Sequence, residues 1–225
     1  MTAHEALAAA AGPALAPAQV YARIAFLSAL SGFLLFVALH VLKRDLDPAW
    51  HMVSEYAVGR HGWAMTLCFF ALALGCVTSL LAIVPFIHTM AGKIGLASLF
   101  FAAVGLALAS IFPTDPITVS PGDASPAARL HGLSVMIGVP TVTVAALLVS
   151  HSLAQNPIWT AVRLPLLGFA HLTWLSLALT IAVVAIWMPR HGGFGPAVLV
   201  GWPNRLMFIA YFGWLGSLSW PLTRY

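Results

Sequence analysis

Six long apolar runs alternate with short polar passages along the 225-residue chain. They span about Val20–Leu42, Trp63–Ile87, Ile94–Phe112, His131–Val149, Leu164–Met188 and Leu206–Leu222. Each is near the ~20 residues that carry a helix across a ~30 Å hydrocarbon core. Open strands would leave backbone groups unsatisfied in lipid, and the alternation of barrel strands is absent. The pattern predicts an all-α integral membrane protein: one six-helix transmembrane domain over residues 20–225, behind an arm at residues 1–19. That arm is rich in Ala and Pro and lacks the positive start and apolar stretch of a signal peptide. It reads as disordered or lying on the surface.

The links between runs are unequal. With the N-terminal face called side A, its links are His88–Lys93 and Ser150–Arg163. Side B carries Lys43–Gly62, Pro113–Leu130 and Pro189–Arg205, which are longer and hold nearly all the polar chemistry. Polar loops held by a rigid scaffold are the usual place for function.

Composition strengthens the membrane reading. The chain is 61% hydrophobic and 7% charged, against roughly a quarter charged in soluble domains. The net charge of +4 comes from basic residues scattered singly at run ends. That excludes the clustered basic face of a nucleic-acid binder. Cys68 and Cys76 share one run, which argues against a disulfide framework. Lys and Arg number six on side B and four on side A, but several side-B arginines lie beside acids, so the charge rule does not fix orientation.

Candidate chemistry gathers on side B. Helices that start there point free N–H groups at that face, beside Arg60, Arg129 and Arg205. With Asn204 these form a candidate ligand-binding set favouring an anion such as a lipid phosphate or a carboxylate. The alternative is that the arginines only anchor helices at the headgroup level. Glu55, Asp115 and His131 are candidate catalytic groups, since acids this near lipid need partners. Asp115 in Thr114-Asp115-Pro116 also reads as a plain turn residue. A zinc site would draw on His51, Glu55, Asp115 and His131, and a haem on His40 and His131. No HxxxH, HExxH or Cys-x-x-Cys-His spacing supports either, so no cofactor is the expectation. His171, inside the fifth run, calls for a partner.

The passages Ser54-Glu55-Tyr56-Ala57-Val58-Gly59, His61-Gly62-Trp63, Phe112-Pro113-Thr114-Asp115 and His131-Gly132 occur in that order between the runs. The chain here resembles a bacterial and archaeal membrane family catalogued as domain of unknown function 998. The resemblance runs from the first helix to about the fifth. It implies a multi-pass protein of the bacterial inner membrane, with the motif loops outside and the N-terminus in the cytoplasm, and it implies no reaction. It marks Glu55, Asp115 and His131 as the polar signature.

Three functions follow as expectations. The first is an accessory or binding protein whose side-B bowl holds an anionic headgroup, a membrane lipid or a partner membrane protein. The second is a lipid-directed hydrolase or transferase using Asp115 and His131, with or without a metal. The third is a small transporter.

Overall fold

Long apolar stretches fold as helices here, even across Pro140 within one of them, and polar caps set where two of them start. The computed structural model describes residue 12 and residues 15–224. Six helices of 19 residues or more are present: α1 (Leu15–Leu42), α2 (Gly62–Ile83), α3 (Met90–Ile111), α4 (Pro126–Leu153), α5 (Arg163–Ala182) and α6 (Gly201–Ser219). A π-turn, Val183–Trp187, and the short turn Met188–Arg190 prolong α5. No strand occurs among the described residues. Five spans are long and apolar enough to cross a membrane: Leu15–Leu42, Gly62–Phe86, Met90–Ile111, Pro126–Leu153 and Pro157–Arg190. Their outer faces carry large exposed apolar side chains such as Leu34, Phe101, Met136 and Leu175. A helix apolar on all sides suits lipid rather than water.

The helix starts differ from the sequence expectation, and capping explains why. Ser125 accepts the Ala128 N–H at 3.1 Å, with Pro126 in the first turn. So α4 begins five residues before His131, and that His lies in the second turn rather than at the helix start. Thr89 caps α3 through Gly92 N–H at 3.0 Å. The α6 helix begins at Gly201, which places Asn204 and Arg205 inside its first turns. Residues 15–19, assigned to the arm by sequence, belong to α1. The rest of the arm lies outside the described residues, apart from Gly12.

Sequence neighbours pack as spatial neighbours from α1 to α6, and α6 returns against α1. The α2 and α6 helices have more than half of their residues inside, in α6 among them Tyr211, Phe212, Trp214, Leu215 and Leu218. Glycines allow the tightest approach. A Cβ on Gly105 of α3 would lie 2.6 Å from both the N and Cα of Gly138 in α4.

Candidate functional site

The first side-B link, residues 43–61, is a strap held by buried polar groups. Its Val53–Ala57 segment is a 3-10 turn that brings Glu55 inward, 3% exposed. The Glu55 carboxylate accepts Met52 N–H at 2.7 Å and Ile117 N–H at 2.8 Å, and contacts His51 Nδ1 at 3.0 Å. It thus joins the first side-B link to the second. Lys43, at the end of α1, donates to Val58 O at 2.6 Å and lies 3.7 Å from Asp45. Asn204 Oδ1 accepts the Val53 N–H at 2.8 Å.

Arg205 is the strap's deepest anchor, 5% exposed. Its Nε donates to His40 Nε2 at 2.9 Å, and its Nη1 to His51 O at 2.8 Å and Gly201 O at 3.1 Å. Its Nη2 donates to the Tyr56 hydroxyl at 2.6 Å, with the guanidinium 5.4 Å from that ring's centroid. Because His40 Nε2 accepts, its Nδ1 carries the proton and donates to Phe36 O at 2.8 Å. Both nitrogens of His40 are therefore engaged.

Asp115 closes a second knot. Its two oxygens accept Ser125 N–H at 2.7 Å and Ser125 Oγ–H at 2.9 Å. It fixes the residue that caps α4, ten positions along the chain, instead of bonding its own turn. Arg129 donates to the carbonyls of Ala124, at 3.1 Å, and Gly122, at 3.5 Å, in its own loop. Arg60 is exposed. The expected bowl of convergent arginines is thus divided: Arg205 faces α1, Arg129 braces its loop and Arg60 stands outside.

His131 has a different setting. It is 3% exposed, packs edge-on against Phe69 and donates Nδ1–H to Phe112 O at 2.8 Å. Phe112 O at the end of α3 would look to the nitrogen of residue 116, which is a proline without an N–H, so it needs an outside donor. With Nδ1 as donor, Nε2 is an acceptor, and it is buried with no partner.

Glu55, Asp115 and His131 are each bonded to backbone or neighbouring groups rather than to one another. Of the four metal candidates, only His51 and Glu55 touch. Among the described residues no three His, Cys, Asp or Glu side chains come together as a metal-ligand group. His171 faces outward beside His151, with ring centroids 5.6 Å apart.

Beneath the strap lies a cavity of about 230 Å³ between α2, α3, α4 and α6. Phe69, Leu106, Met207 and Phe208 give apolar walls, and Gly105 and Gly138 give a close floor. Met52 and Ser54 of the strap and Thr114 of the second link reach its upper part, and His131, Ser134, Asn204 and Tyr211 add polar edges. This space is not legible in the sequence, because two of its four helix walls, those of α2 and α3, are wholly apolar and resemble lipid-facing ones.

The model of a family described as "Protein of unknown function (DUF998)" matches residues 6–221. The chain belongs to this family. No curated protein and no solved structure matches it. The family assignment agrees with the side-B passages from Ser54 to Gly132, which lie within the matched range. In this family member those passages form the strap, the α4 cap and the cavity's upper wall.

Proposed function

We propose that this membrane protein binds a lipid-like amphiphile in the side-B cavity and performs no covalent step on it. The observation that carries the reading is the cavity itself. It is a mostly apolar space with a few converging polar groups, the usual form of a small-molecule site, and His131, Ser134, Asn204 and Tyr211 are part of its wall. At about 230 Å³ it is smaller than the ~300 Å³ where drug-sized sites begin. It suits one headgroup and the first part of a chain, with the remainder leaving through its open side.

The anion-binding form of this reading loses its support, since Arg205 and Arg129 spend their donors within the protein. The hydrolase reading draws no support from Asp115, whose carboxylate is committed to the cap of α4.

We also propose six crossings of a bacterial plasma membrane, with side A in the cytoplasm. The 19 residues of α6 extend about 28 Å at 1.5 Å per residue, and α6 closes the bundle between α5 and α1. Lys43 and Arg205 are buried by structural bonds, so the raw side-B excess of basic residues is a poor guide to orientation.

The test is photolabelling in lipid nanodiscs with a diazirine-bearing dodecanol. Gly132 lines the cavity, and a Cβ there meets nothing within 4 Å. Gly132→Phe therefore adds a ring at the cavity's exposed edge without a clash at its Cβ. Saturable labelling of the wild type that this variant loses supports the reading. Equal labelling of both proteins contradicts it.

A further inference from the structure

The described residues that line the cavity include no Asp, Glu, Lys or Arg. Its polar atoms differ in what they can still bind. His131 gives the wall its ring, but its Nε2 is sealed from water and from any ligand. Ser134 Oγ donates its hydrogen to Leu130 O at 2.7 Å, Thr114 Oγ1 to Asp115 O at 3.2 Å, and the Tyr211 hydroxyl to Val139 O at 3.4 Å. Two donors remain. Asn204 accepts Val53 N–H through Oδ1 at 2.8 Å, which fixes the amide's orientation and leaves Nδ2 as its donor side. Neither Nδ2 nor the Ser54 hydroxyl bonds to a described residue, and neither is a buried atom left without a partner. Both atoms therefore keep open surface. They sit on residues that line the cavity, and Asn204 is otherwise enclosed, at 8% exposure.

Resting on the cavity-binding reading, we propose that the bound amphiphile is an uncharged acyl lipid held by its carbonyl oxygen, with Asn204 Nδ2 and the Ser54 hydroxyl as donors. What the wall lacks is an acceptor. A carbonyl oxygen has two lone pairs and no hydrogen, so it can take both donors and brings none of its own. A hydroxyl also accepts, but it carries a hydrogen that needs a further partner in an apolar space. An alkane fills the apolar part and strips water from both donors without replacing it, which is costly. A phosphate or carboxylate would be desolvated with no cation in the wall to offset its charge. The nearest deeply held cation, Arg205, is turned toward His40 and Tyr56. The position agrees. Asn204 lies in the first turn of α6, close to its side-B end, and the acyl chain runs from there along Phe69, Leu106, Met207 and Phe208.

The experiment is competition against the diazirine-bearing dodecanol on the full chain, in nanodiscs of ether-linked phospholipid, which brings no acyl carbonyl of its own. The competitors, at equal mole fraction in the lipid, are methyl dodecanoate, dodecan-1-ol, tridecane and dodecyl phosphate. The expected result is that the ester competes about tenfold better than tridecane, with the alcohol between them and the phosphate no better than tridecane. In Asn204→Asp the carboxylate still accepts Val53 N–H but has no N–H to give. There the ester's advantage disappears while tridecane still competes. Ser54→Ala breaks no hydrogen bond of the described fold and should lower the advantage about threefold, so it decides if the first variant does not fold. Equal competition by ester and tridecane on the wild type overturns the carbonyl assignment and leaves cavity binding standing. Preference for the phosphate or the alcohol overturns it as well. So does an ester advantage that survives in folded Asn204→Asp or is unchanged in Ser54→Ala. Absence of saturable labelling removes the cavity reading itself.

Discussion

Arg205 carries a positive charge into the bundle with only neutral partners: His40, Tyr56 and the carbonyls of His51 and Gly201. What offsets the charge is the carboxyl end of α1, whose last turns bring His40 to the guanidinium. Four of its five N–H groups are used, in the planar fork that lysine lacks. Arg205→Lys therefore keeps the charge and loses the geometry. We expect it to destabilise the protein by about 3 kcal/mol, read as a lowered Tm in detergent. An unchanged Tm would show that the strap is held elsewhere. The importance of Glu55, Asp115, His131 and Arg205 was legible in the sequence, since polar groups are rare in so apolar a chain. Their partners were not. Ile117 N–H, Ser125 N–H and Phe112 O are backbone groups, which a residue pattern does not distinguish from any other.

The helices were legible in type because their apolar runs are long, but their starts were not. Ser125 and Thr89 act as caps, yet Arg129 and the polar loop before it led the hydropathy pattern to begin α4 at His131. That shift of five residues turns His131 from a surface group at a helix end into a buried wall of the cavity. The α3–α4 contact depends on Gly105 against Gly138. Adding one methyl there, Gly105→Ala, forces the two backbones apart. The expected cost is about 1–3 kcal/mol, again read as a lowered Tm. Gly132→Ala on α4 meets nothing within 4 Å and should change the Tm little. Equal effects of the two substitutions would contradict the packing described.

The bundle as a whole brings two side-B links together over one end of a cavity, and the proposed orientation places that end outside the cell. Cys68 and Cys76 are buried, so single introduced cysteines report topology cleanly. A membrane-impermeant maleimide should label Arg60→Cys in intact cells, and Lys93→Cys only after permeabilisation. The opposite pattern would invert the orientation, and labelling of both in intact cells would mean that α2 does not cross. The cavity is the part of the molecule least legible in the sequence. Its walls come from residues far apart in the chain, such as Phe69, Leu106, Gly138 and Phe208, and each reads as an ordinary membrane-helix residue. The bundle offers a second apolar recess, a groove of Phe26, Phe33, Phe169 and Phe212 between α1, α5 and α6, which any lipid chain can touch. The central claim is therefore tested by mapping, peptide by peptide, where the diazirine-bearing dodecanol reacts in nanodiscs. Saturable labelling in the side-B halves of α3, α4 and α6, abolished by Gly132→Phe, is the predicted result. Labelling confined to the outer groove, rising without saturation and indifferent to that substitution, would contradict it.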